Sequence, residues 1–286
     1  MVMGPTHAMS GAFFSLAAIT TYTALVGPVH PTIAILGTVM AAGASLGPDI
    51  DSNSSTVVRS FGIFGRVAHH IANSIGVAVF TATRTRYDRH PEGGHRTFFH
   101  TTFMAILMGG LVALATLPTN IIHVFGHPYS LGQFNAIILM SIFLNLCLSG
   151  LLEKRIKAAR KRYGPYALMA FSLVFAIVLS IFMPVPTGSY SYLGIAVGFG
   201  WFVHLLGDAI TKMGVPMAWP VKVAGKRWYD ISLPSFMRIT AGGDFEKIIL
   251  LPVLTGLTVL LLIYNTLVFY HILPAINVIF NAVFSK

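Results

Sequence analysis

The sequence has little acid, little charge of either sign and almost no cysteine. Only 9 of its 286 residues are Asp or Glu, and all charged residues together make up 10%. A soluble domain carries about 25% charged residues, so an ordinary soluble globule is excluded, as are disordered and coiled-coil chains. The single cysteine, Cys147, excludes a disulfide framework and a thiolate zinc site. It lies in the apolar run IILMSIFLNLCLSGLL and reads as a small core residue. There is no internal repeat and no low-complexity tract. The N-terminus has no basic region followed by a cleavage site, so the first apolar run is expected to stay in the mature protein. What abounds is apolar: hydrophobic residues reach 55% and mean hydropathy is +0.75. The chain reads as an all-α, polytopic membrane protein with a single membrane-embedded domain over 1–286.

A helix needs about 20 apolar residues to span a bilayer. Seven runs approach that length: 8–27, 32–48, 98–117, 133–152, 166–184, 191–211 and 248–271. The second is short and rich in Gly and Ala, and a terminal piece, 274–285, is too short to span. Eighteen of the nineteen Lys and Arg residues fall in three segments, 49–97, 153–165 and 212–247; the last is Lys286. The intervening connections 28–31, 118–132 and 185–190 hold none. This alternation is what seven spans require, and the positive-inside rule puts the N-terminus in the cytoplasm and the C-terminus outside. The same rule accounts for the net charge of +10, so the bilayer, and not nucleic acid, is the expected partner. The basic run at 154–162 is read as a topology anchor. The largest cytoplasmic region, 49–97, contains a stretch with apolar residues at helical spacing, suited to an interfacial helix or a re-entrant cover.

The informative polar residues sit at the edges of these runs. His7 opens the first. Asp49 and Asp51, in GPDID, follow the second; an Asp-x-Asp turn suits a hard or borderline cation. His95, Arg96 and His100, in GGHRTFFH, enter the third. His204 and Asp208, in HLLGDAIT, share one face near the end of the sixth. An Asp inside a span costs about 2.5–3.5 kcal/mol on insertion scales and is a functional-site hypothesis by default. The topology brings all four motifs to the cytoplasmic face. Histidine alone is not decisive, since His30, His123 and His127 lie outside, but no outer loop contains a carboxylate. Four His and three Asp at one face read as a metal centre. Zn is the first expectation, with Mn and Fe as alternatives, and seven candidate ligands leave room for two ions.

At these residues the sequence resembles the YdjM-type family of membrane-bound metal-dependent hydrolases. That family has an N-terminal His, a PDxDH turn, a GHRGxTHS segment and an HxxxDxxTxxGVxLLWP block. This chain has His7, GPDIDS, GHRTFFHT and HLLGDAITKMGVPMAWP in the same order. The resemblance runs from residue 4 to about 255, and its last block is the most specific. Ser52 stands where the family has His, for which His69 or His70 could substitute, and the family's Thr before His100 is Phe99. The family is distantly similar to zinc-dependent phospholipase C, which implies phosphoester cleavage.

The expectation is therefore a membrane-bound metal-dependent hydrolase acting on a phosphoester or lipid-type substrate at the cytoplasmic face. Metal ligands would come from His7, Asp49, Asp51, His95, His100, His204 and Asp208. Asp51 or Asp208 would act as general base, and Arg96 would neutralise phosphoryl charge. Glu246 would support a ligand His or lie in solvent, and Trp219 and Trp228 would anchor at the interface. Two alternatives use the same residues: a transporter with His204 and Asp208 as a relay, and a scaffold with a structural ion.

Overall fold

The computed structural model describes residues 3–88, 95–124, 127–164, 166–182 and 190–270. Arg89 and the terminal run 274–285 lie outside the described residues. The helices are α1 (Gly4–Leu25), α2 (Pro31–Ala44), α3 (Thr56–Ser60), α4 (Ile63–Thr83), α5 (Thr102–Thr116), α6 (Leu131–Leu151), α7 (Glu153–Tyr163), α8 (Ala167–Phe182), α9 (Tyr192–Ala209) and α10 (Leu251–Phe269). Among the described residues the only strands form a hairpin, β1 (Ile121–Val124) and β2 (His127–Ser130), in an expected outer connection.

Each of the seven apolar runs carries a helix. Five are long and apolar enough to cross a membrane: α1, α2 with its continuation to Asp51, α6, α9, and Phe245–Phe269. A sixth is gained if α7 and α8 count as one bent span, while α5, with 15 residues, is apolar but shorter. Among the described residues, five or six helices thus qualify by length where seven spans are expected. The protein is a multi-pass helical membrane protein.

The Gly- and Ala-rich second run, whose extent the sequence left open, is the centre of the bundle. Without a hydrophobic drive between helices in lipid, close packing by small residues holds them together. On α2 that packing is tight on three sides. A Cβ on Gly11 of α1 would meet the Ala41 carbonyl oxygen at 2.6 Å, and one on Gly200 of α9 would meet the same oxygen at 2.2 Å. A Cβ on Gly43 of α2 itself would reach the Phe143 carbonyl oxygen of α6 at 2.1 Å. Leu36, Met40, Leu146, Leu193 and Val197 fill the core around these contacts. Cys147 is buried, as expected of a core residue.

Within the region 49–97, residues 49–83 are largely helical. A 3₁₀ turn, Gly47–Asp51, prolongs α2, and α3 and α4 follow. Helix α4 turns Gly65, His69, Ala72, Gly76 and Phe80 inward. It leaves Ile63, Val67, Ile71 and Ile75 exposed at a spacing of four, the apolar stripe an interfacial helix needs. Beyond α9 the chain runs without long helices to residue 244 and folds back over the same end of the bundle. Trp219 and Trp228, expected as interface anchors, instead pack on each other, and both donate to Thr83 Oγ1. Trp228 is buried, so it is a clasp between α4 and this returning segment. Asp88 completes the clasp by accepting from the backbone N–H groups of Thr85, Arg227 and Trp228. Burial opposes ionisation of Asp88, but these hydrogen bonds outweigh it and hold the carboxyl below its usual range.

Candidate metal centre

The four motifs meet at one end of the bundle. His7 sits in the first turn of α1, and Asp49 and Asp51 in the 3₁₀ turn beyond α2. His100 ends a second 3₁₀ turn, Phe98–His100, immediately before α5. His204 and Asp208 occupy the last turns of α9. His7, His100, His204 and Asp208 are 0–1% exposed, and Asp49 and Asp51 at most 5%. Only His95 keeps an open flank, with its side chain 25% exposed.

Four donor atoms define the centre. His100 Nε2 and His204 Nε2 are 3.3 Å apart. Asp49 Oδ1 lies 3.6 Å from each of them. Asp208 Oδ2 lies 3.7 Å from each of them. These separations exceed a good hydrogen bond. They match the spacing of about 3.4 Å between two ligands that each sit about 2.05 Å from a tetrahedral ion. The imidazoles are oriented for the task. His204 Nδ1 lies 2.7 Å from the Ser45 carbonyl oxygen and donates to it, which leaves the Nε2 lone pair facing the carboxylates. His100 Nδ1 faces Asp51 Oδ2 at 3.2 Å, a charge contact on the far side of its ring. A partner behind each imidazole is the usual support of a ligating histidine.

Two further groups flank this quartet. His7 Nε2 is 3.5 Å from Asp208 Oδ1, and its ring stacks on His204 at 3.9 Å. His95 Nδ1 is 2.7 Å from Asp51 Oδ1. Each of the triads His7/His204/Asp208, Asp49/His100/His204 and Asp51/His95/His100 could hold an ion. All seven expected ligands are therefore in the cluster. His69 and His70 are in none of these triads; His69 instead bonds the Ile50 carbonyl at 2.9 Å, behind the acidic turn.

The electrostatics also suit a cation. Asp49, Asp51 and Asp208 face one guanidinium, Arg96, whose Nη2 is 2.9 Å from Asp208 Oδ2. With neutral imidazoles the buried cluster carries two negative charges in excess, a costly state unless a cation joins it. Asp49 Oδ1, both Asp208 oxygens and both His7 nitrogens find no hydrogen-bond partner among the described residues. Buried polar atoms are rarely left so, and a metal ion is the group their chemistry fits.

A model of the YdjM inner membrane protein family matches residues 1–153. The chain belongs to that family. Its place is accordingly the inner membrane. No curated protein and no solved structure matches the chain. Five of the seven YdjM-type ligand candidates, His7 through His100, fall inside the matched segment, and His204 and Asp208 lie beyond it.

Several supporting contacts of this YdjM-family site carry no sequence signal. Ser45 accepts from His204 through its carbonyl and donates its hydroxyl to the His7 carbonyl at 2.7 Å. Trp201 Nε1 donates to the Phe99 carbonyl at 2.8 Å and ties α9 to the His100 turn. Gly207 leaves room for the His7 ring, which a Cβ there would meet at 3.1 Å. Glu246 is neither solvated nor bonded to a ligand. It is fully buried and accepts from the backbone N–H groups of Met3 and Gly242, each at 2.6 Å, which fixes the start of α1.

Proposed function

We propose that the chain is a membrane-bound metal-dependent hydrolase acting on a phosphoester or lipid-type substrate at the cytoplasmic face. The observation that carries this reading is the buried quartet of His100, His204, Asp49 and Asp208, at ligand spacing and beside a guanidinium. A divalent ion held there, Zn first and Mn or Fe as alternatives, would supply Lewis acidity toward an ester oxygen and make a water more acidic. The triad of Asp49, His100 and His204 would supply three ligands and leave a fourth position for water or substrate, the arrangement of catalytic zinc sites.

The remaining roles belong to side chains. Arg96 donates from Nη1 to the Gly214 carbonyl at 2.8 Å and pairs through Nη2 with Asp208 Oδ2 at 2.9 Å, while its Nε makes no hydrogen bond among the described residues. That leaves guanidinium capacity for an anionic oxygen next to the quartet. Asp51 holds His95, the partly exposed member, and this pair is the best placed to exchange a proton with solvent. Asp208 serves as a ligand and as the anchor of Arg96, so the base role fits Asp51 better.

The relay alternative draws less support. Asn135 and Asn145, which lie on the way to the other face, spend their amides on the Ala115 and Ser60 carbonyls. The test is elemental analysis of the detergent-purified chain beside the Asp49→Ala/His204→Ala double variant, followed by phosphoester and phospholipid turnover. Stoichiometric metal and turnover in the wild type, both lost in the folded variant, are expected. Metal without turnover on any phosphoester, and unfolding on chelation, would instead establish a structural ion.

A further inference from the structure

A cleft of about 620 Å³ opens beside the quartet, and Asp49 forms part of its wall. Its other walls come from the start of α1, the Ser54–Thr56 turn, the α6–α7 junction and the entry to α10. The volume is that of a small-molecule site. Two kinds of surface line it. One is cationic, with Arg59, Arg155 and Lys247; the other is apolar, with Leu151, Leu152 and Leu251.

The cations are not equivalent. Arg59 is engaged, with Nη2 2.8 Å from Glu153 Oε1. Arg155 and Lys247 are exposed, and neither forms an ion pair with a carboxylate among the described residues. They belong to different elements, α7 and the first, π-helical turn of the Phe245–Phe269 helix, yet they face one opening. The leucines sit where α6 ends and α10 begins, which puts the apolar wall at the edge of the lipid. A groove with an anion-binding rim, a greasy wall at bilayer level and one candidate ligand, Asp49, in its lining complements an amphiphile with a phosphate head.

We infer that this cleft receives a phosphate-headed lipid from the inner leaflet, with its headgroup between Arg155 and Lys247 and its tail along Leu151, Leu152 and Leu251. As a substrate site the cleft rests on the hydrolase reading; as a binding site it does not.

The test is native mass spectrometry of the full chain in detergent with equal amounts of phosphatidic acid and phosphatidylcholine. Metal content is read on the same samples. Wild type should retain phosphatidic acid over phosphatidylcholine. The Arg155→Gln/Lys247→Gln variant should lose about tenfold of that preference, since each surface cation favours an anionic lipid. Its metal content should be unchanged. The Lys161→Gln/Arg162→Gln variant removes the same charge from α7 outside the cleft and should keep the preference. An equal loss in both variants, or no preference in the wild type, overturns the inference even if metal is bound. Displacement of the lipid by equimolar inorganic phosphate also overturns it and points to a soluble phosphoester. A preference that persists in a chain without metal upholds the lipid site and removes the hydrolase reading alone.

Discussion

Asp51 shows how much one carboxylate can organise. Its two oxygens face His95 Nδ1 and His100 Nδ1, and Oδ2 also accepts from the Arg96 backbone N–H at 3.2 Å. It thereby fixes both histidines of the GHRTFFH segment and the turn between them. Arg96 needs that hold, because its φ of 58° is a left-handed conformation that a non-glycine residue adopts at a cost. Asp51→Asn keeps the shape and one acceptor but removes the charge behind His100. Partners of this kind cost about 10–100-fold in metal affinity when removed. Chelator competition should show a loss of that order in a chain that still elutes as a single folded species. Unchanged affinity would mean that His100 does not depend on Asp51.

At the scale of elements, the site stands on how closely α2 is approached. The three glycine contacts bring α1, α6 and α9 against one helix, and with them His7, His204 and Asp208. Gly43→Ala would push a methyl group into the Phe143 carbonyl and part α2 from α6. Overpacking of this type costs about 1–3 kcal/mol, to be read as a lower midpoint of thermal unfolding in detergent. Gly110→Ala is the control, because a Cβ there meets nothing within 4 Å, and its helix should be unchanged or slightly stabilised. Equal melting of the two variants would refute the close-packing account. The sequence made the helices legible through their apolar length, but not the tightest contacts between them. A glycine against a carbonyl looks the same in sequence as a glycine facing lipid. The acidic and histidine ligands were legible for the opposite reason: buried in an apolar chain, such groups persist only where they are partnered. What escaped were supports that act through the backbone, such as the Ser45 carbonyl, and Glu246, whose partners are amides more than 240 and 4 positions away.

For the whole molecule, the distribution of Lys and Arg and the position of the cluster agree on one orientation. His7, the acidic turn, His100 and the end of α9 share an end of the bundle with Arg59, Arg155 and Lys247. Single cysteines placed in a Cys147→Ala background test this directly. A cysteine at Lys157 should react only after the inner face is made accessible, and one at Asn120 should react with an impermeant reagent from outside. The reverse labelling would invert the chain and place the metal centre on the other side of the membrane. The long-range clasp formed by Thr83, Asp88, Trp219 and Trp228 lies at the same end, so opening it would loosen the cover without disturbing the helices.

The quartet draws its members from residues 49, 100, 204 and 208. During synthesis α1 and α2 leave the ribosome long before α9 exists, so their buried carboxylates wait without their final partners. A chain interrupted anywhere before Asp208 has the first ligands but not the set. Closure of the quartet would then mark the end of assembly: a polypeptide threaded only through its fifth helix holds Asp51, His95 and His100 together, but not the set that α9 completes.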